Sequence, residues 1–207
     1  MKTLFSKITS SSLVLGVLFV AVIAPAKATS ISGALNVDNG FVAYISTNDS
    51  VAGTQIGSGN NWPNTDTFTA SLTSGVTNYL HIYGFDQGGI AGFLGQFTLS
   101  DTGFSFTNGT QSLLTGTSNW NGSLTGFGSG YQTPIDLGVN GVSPWGSITG
   151  VNGAARWIWV QDAHNANAVY FSARINSNSV PDGGVTVAML GLAIAGLAAL
   201  RRKFVRS

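Results

Sequence analysis

Few side chains in this sequence can do covalent chemistry. There is no cysteine and no glutamate, and the histidines are His81 and His164. Thiol nucleophiles, disulfides and Cys-ligated zinc are therefore excluded by composition. No Gly-x-Ser-x-Gly element is present to expose a nucleophilic serine. His81 lies among aromatics in the alternating run Tyr79–Phe85, where a satisfied structural role competes with that of a base. His164 sits in Asp162-Ala163-His164-Asn165, which reads as a turn, and two histidines without carboxylates do not make a zinc site. Glycoside hydrolysis requires two carboxyl groups with separated pKa values. The aspartates Asp38, Asp49, Asp66, Asp86, Asp101, Asp136 and Asp162 could supply a pair, but no local context singles one out. The expectation is a non-enzyme, with a small glycan hydrolase as the weaker alternative.

Recognition chemistry is better represented. A sugar site combines a flat ring, which stacks on C–H faces, with amides or carboxylates for hydroxyls. Asn60-Asn61-Trp62, Asn119-Trp120-Asn121 and Pro144-Trp145 offer such combinations in expected loops. Trp120 and Trp145 are the preferred surface candidates, with Asn119, Asn121, Asn61 and Trp62 beside them. The competing role is to pin long loops onto the domain. Trp157 and Trp159 alternate within an expected strand and should face the core. Asp38, Asp49 and Asp86 are candidate calcium ligands, although no Asp-x-Asp-x-Asp loop accompanies them. No organic cofactor is indicated.

These residues must be positioned by an all-β domain. Between residues 30 and 180 no long stretch has apolar residues at helical spacing. Short alternating runs bounded by Gly, Asn, Asp and Ser dominate instead. The pattern predicts strands at 32–37, 41–46, 67–72, 79–85, 93–100, 103–107, 112–115, 156–160 and 169–175. In the run 79–85, Tyr79, His81, Tyr83 and Phe85 share one face while Leu80 and Ile82 share the other. Asp38-Asn39-Gly40 reads as a turn, and 116–153 as a long, Gly/Ser/Asn-rich loop region. Residues 29–180 hold two cations, Arg156 and Arg174, against seven aspartates, a net charge of −5. Such a surface repels phosphate backbones and disfavours nucleic acid.

Both ends read as targeting segments. Lys2 and Lys7, the apolar run Leu13–Ala24 and Ala26-Lys27-Ala28 fit a secretory signal peptide over 1–28, engaging the general secretion machinery. An uncleaved membrane anchor is the alternative. At the other end, Val180-Pro181-Asp182-Gly183-Gly184 precedes the uncharged stretch 185–200 and then Arg201, Arg202, Lys203 and Arg206. Sixteen helical residues rise roughly 24 Å, slightly short of a ~30 Å hydrocarbon core. The cations should stay cytoplasmic and leave the domain at 29–179 outside.

The order motif, apolar helix, basic end over 180–207 resembles the PEP-CTERM class of bacterial sorting signals, in a Val-Pro-Asp-Gly-Gly variant. That resemblance implies processing by an exosortase-like enzyme at the inner membrane and delivery to the cell surface or beyond. Within the domain, Asp38–Tyr44, Ile56-Gly57-Ser58-Gly59 with Asn61-Trp62, Tyr79–Ile82 and Asp86–Leu94 are similar to galactose-binding-domain-like jelly rolls. Ala155–Trp159 and Val169–Phe171 resemble the strand pair that accompanies them. This implies an antiparallel jelly-roll sandwich of the kind found in surface proteins and glycoside hydrolase accessory modules. The reading is an exported surface or matrix protein that contacts polysaccharide. Its rival is a structural envelope protein that associates with itself.

Overall fold

Twelve short strands arise where the sequence alternates, and they assemble into two antiparallel sheets. The computed structural model describes residues 28–178, 189–197 and 201. Residues 1–27 of the signal segment 1–28, the motif Val180–Gly184 and the basic residues Arg202, Lys203 and Arg206 lie outside the described residues. Of the apolar stretch 185–200, residues 189–197 are helical and exposed. Among the described residues no helix is long and apolar enough to cross a membrane.

The first sheet contains β1 (Ser30–Asp38), β4 (Asp66–Ser71), β6 (Gly92–Leu99), β8 (Ser112–Leu114), β10 (Ile135–Val139) and β11 (Arg156–Trp159). Its order is β10-β11-β6-β1-β4, with β8 also on β6. The second contains β2 (Gly40–Ser46), β3 (Thr54–Gly59), β5 (Asn78–Phe85), β7 (Phe104–Phe106), β9 (Asn121–Ser123) and β12 (Ala168–Ser177). Its order is β3-β2-β5-β12-β7, with β9 also on β12. The chain passes between the sheets at most of its turns, so this is a β-sandwich, as the alternating runs imply.

All nine expected strands form, with ends within two residues of those read from the pattern. Three more were not legible. β3 has Ile56 as its one large apolar residue and runs along a sheet edge. β9 is three residues long. In β10 a register shift between Asp136 and Gly138 breaks the alternation, and Gly138 has φ +123°. Asp38-Asn39-Gly40 is a turn of another kind from a hairpin. It takes the chain from β1 in one sheet to β2 in the other. A Cβ on Gly40 would lie 2.5 Å from Cζ of Phe85, so only glycine admits that ring against the corner.

The space between the sheets is filled by aromatic rings. Phe93 of β6 meets Phe171 of β12 at 5.1 Å between centroids and Trp120 edge-on at 5.1 Å. Phe97 packs on Trp120 at 5.4 Å, and Trp159 on Phe171 at 5.8 Å. Leu80 and Ile82 point into this core, as their period requires. A second cluster lies outside the first sheet, where the loop 140–155 folds back so that Trp145 stacks on Trp157 at 4.4 Å. Trp157 and Trp159 are thus both fully buried, Trp159 in the main core and Trp157 in the second cluster.

The inter-sheet contact makes one expectation quantitative. Phe171→Ala in the full-length chain should lower unfolding free energy by about 3–5 kcal/mol, measured by urea denaturation. A loss below about 1 kcal/mol would mean that Phe171 does not bridge the sheets.

Candidate functional site

The outer face of the second sheet holds an unusual density of rings. Register places Ser58, Val42, Tyr83, Tyr170 and Ser123 in one row across β3, β2, β5, β12 and β9. The next row is Tyr44, His81, Ser172 and Asn121. The period-two reading put Tyr79, His81, Tyr83 and Phe85 on one face, and this is that face.

A single carboxylate organises the second row. Oδ1 of Asp49 accepts hydrogen bonds from Ser172 Oγ at 2.7 Å and from Tyr131 OH at 2.8 Å. His81 Nε2 lies 3.0 Å from the same oxygen, while its Nδ1 donates to the Ala52 carbonyl at 3.2 Å. Both ring nitrogens therefore face acceptors. Burial alone would raise the Asp49 pKa. The hydrogen bonds from Ser172, His81 and Tyr131 outweigh burial and hold it below the ordinary carboxylate value. Burial, reinforced by the bond to Asp49 and its charge, pushes the Tyr131 phenol up to about 12. Ser172 donates to Asp49, with no bond to His81, and His81 is fully buried. Ser172 and His81, paired across β12 and β5, thus make no Ser–His hydrogen bond of the kind a nucleophilic serine uses.

The network positions a loop. Tyr131 returns the chain to the sheet and its hydroxyl also accepts from Gly128 N at 2.9 Å. Phe127 is thereby laid on His81, stacked at 4.1 Å with an interplanar angle of 10°. It meets Tyr170 edge-on at 5.1 Å and Tyr44 at 6.2 Å. Beyond Phe127 the face stays open. Tyr83, Phe85 and Tyr170 are half-buried there, with Tyr83 at 5.0 Å from Tyr170 and 6.0 Å from Phe85. A shallow depression lined by Phe41, Val42, Ser58, Asn60 and Phe85 borders these rings.

The tryptophans expected at the surface are elsewhere. Trp120 is 2% exposed and Trp145 5% exposed, so neither presents a face to a ligand. This corrects the surface reading. Their indoles pin loops, as the competing reading held. Trp120 Nε1 donates to the Leu114 carbonyl at 3.1 Å, and Trp145 Nε1 to Asp38 Oδ2 at 2.9 Å. Trp62 is half-buried against the second cluster, and its carbonyl accepts from Asn36. Asn61 and Asn119 are exposed, and Asn119 accepts a bond from Thr107. Of the six sugar candidates, only Asn121 lies on the aromatic face. Asp49 is occupied by three side-chain donors, while Asp38 and Asp86 lie together at the β1–β2 corner. The open rings could have been found from the alternation at 79–85. Their partner Tyr170 carried no separate signal.

Comparison with known proteins touches the tail alone. A family model described as VPDSG-CTERM motif matches residues 179–204. Gly183 stands where that description has serine. The segment is thus a PEP-CTERM-like sorting tail, which points to an exported protein that transits the membrane and implies an exosortase-like processing system. No curated protein and no solved structure matches the chain. The galactose-binding-domain resemblance accordingly gains no support from solved structures, and the sandwich stands on its own sheets.

The Asp49 network has a pH signature. Its folded pKa is lowered, so its contribution is complete above the unfolded value of about 3.9 and is lost as pH falls through the folded value. Asp49→Ala should cost about 2–3 kcal/mol at pH 7. It should also flatten the loss of stability on acidification below about pH 4. Urea denaturation of wild type and variant at pH 7 and pH 3 checks this. An equal acid-induced loss in both proteins would remove Asp49 from its proposed place.

Proposed function

We propose that this protein is a non-catalytic, exosortase-sorted surface or extracellular-matrix component that contacts polysaccharide through the outer face of its second sheet. The observation that carries the contact is the half-exposed group Tyr83, Phe85 and Tyr170, held open beside a shallow depression of mixed polar and apolar lining. Aromatic side chains offer large apolar area at small entropic cost, and Tyr adds a hydroxyl to bond a sugar oxygen. Ser58, Asn60 and Asn121 supply further donors and acceptors within reach of the face. The domain has two cations against seven aspartates. That balance repels an anionic polymer overall, Arg174 being the one cation on this face, so neutral hexose chains are the favoured class.

Catalysis has less support. His81 is buried beneath Phe127, and Oδ1 of Asp49 is taken up by Ser172, Tyr131 and His81. Sorting proceeds through the tail, with the inner membrane as a station in transit and the cell surface or matrix as destination.

Affinity electrophoresis through gels containing neutral exopolysaccharide tests the contact. Tyr83→Ala with Tyr170→Ala should weaken retention at least tenfold, about 1.4 kcal/mol, while Asn119→Ala leaves it unchanged. Absence of wild-type retention, with concentration-dependent self-association by light scattering, would favour the structural-envelope reading instead.

The tail is tested separately in the native host. Changing Pro181, Asp182 and Gly183 together should leave membrane insertion intact and block release. If motif variant and wild type both stay fully in the membrane fraction, the tail is a plain anchor.

A further inference from the structure

The corner where β1 passes into β2 contains two buried carboxylates and, among the described residues, no cation. Asp38 and Asp86 are each 8% exposed. Backbone geometry brings them together. Asn39 N donates to the Phe85 carbonyl at 3.0 Å, and Gln87 N donates to Asn39 Oδ1 at 2.6 Å. Asp38 spends one oxygen on the Trp145 indole. Both oxygens of Asp86 are buried without a hydrogen-bond partner among the described residues. An unpaired buried carboxylate costs several kcal/mol unless something neutralises it.

Among the described residues, neither cation of the domain reaches this corner. Arg156 pairs with Asp136 on the surface. Arg174 faces Tyr79 across β12 and β5, six residues along from the Ala168–Phe85 pair, or roughly 20 Å away at strand spacing. The remaining choices are a proton or a bound ion. Neither group is exposed enough to reach a scissile bond.

We propose that Asp38 and Asp86 bind a calcium ion that locks the β1–β2 corner against the segment following β5. Hard oxygen ligands with no histidine or cysteine among them select calcium or magnesium over transition metals. Calcium accepts an irregular set of 6–8 oxygens, which backbone carbonyls and water complete around two carboxylates, whereas magnesium demands a near-ideal octahedron. Of the three aspartates open to calcium on sequence grounds, the fold brings these two together, while Asp49 lies apart with His81, Ser172 and Tyr131. The ion would be structural, and an exported protein would meet it outside the cell, where modules with weak sites are filled. The inference does not depend on the polysaccharide contact.

The test is thermal unfolding and isothermal titration calorimetry on the full-length chain, stripped with chelator at pH 7.5 and titrated with calcium chloride. Wild type should bind one calcium. Calcium at about a hundred times its Kd should lower the unfolding constant about a hundredfold. Asp86→Asn and Asp38→Asn should each abolish binding, and Asp86→Asn should match or exceed wild type in stability without calcium, because a buried charge is gone. Asp136→Asn, at the surface, should bind as wild type does. An equal response to magnesium overturns the choice of calcium. A wild type indifferent to calcium overturns the site. Loss of calcium binding would leave the polysaccharide result untouched, and the reverse holds as well.

Discussion

Aromatic contact between the two sheets is the constraint on which this fold rests. The chain changes sheet at most of its turns, so few neighbouring strands are tied by a hairpin. No disulfide closes any of the resulting loops. Cohesion must come from side chains that reach across the gap, and Phe93 against Phe171, with Trp120 and Trp159 at their edges, is that bridge. A chain with 8% charged residues and 28 glycines has little else to offer. Large rings compensate for the small residues around them.

The consequences run outward from this core. With the inner face of β5 committed to Leu80 and Ile82, strict alternation drives Tyr79, His81, Tyr83 and Phe85 to the outer face. Polar or charged residues would ordinarily be found there. Instead, Asp49 gathers Ser172, His81 and Tyr131, and the loop bearing Phe127 closes over the histidine. What remains uncovered is a small aromatic surface on a rigid sheet. On the opposite side, loop 140–155 performs the same closing function for the first sheet and buries Trp145. Each outer face is thus roofed in part by a segment without regular structure; the first sheet leaves the polar residues Ser32, Thr67, Thr69 and Thr98 uncovered, the second leaves aromatic rings uncovered.

Legibility in the sequence followed length and alternation. Strands of six or more residues with several large apolar side chains, such as 79–85 and 93–100, stood out. β3, with one such residue, did not, and the bulge in β10 hid its period. The tryptophans of the loops were the least legible. Trp120 and Trp145 sit between polar residues, which is what a surface site looks like in one dimension. Whether an indole turns inward depends on where the loop lands, and a long-range contact such as Trp145 with Asp38 decides that. Asp49 was equally opaque, because its donors come from positions 81, 131 and 172. The sorting tail was legible because its signal is a local order of motif, apolar stretch and cations.

The central claim is that the open rings of the second sheet are the contact surface for a neutral polysaccharide. Chemical-shift mapping by NMR, with oligosaccharides cut from the host's own neutral exopolysaccharide added to the full-length protein, addresses it directly. The account predicts shifts centred on Tyr83, Phe85 and Tyr170 and extending to Val42, Ser58 and Asn60, with the Trp62 region silent. Shifts confined to loops away from the second sheet, or none at saturating oligosaccharide, would contradict it.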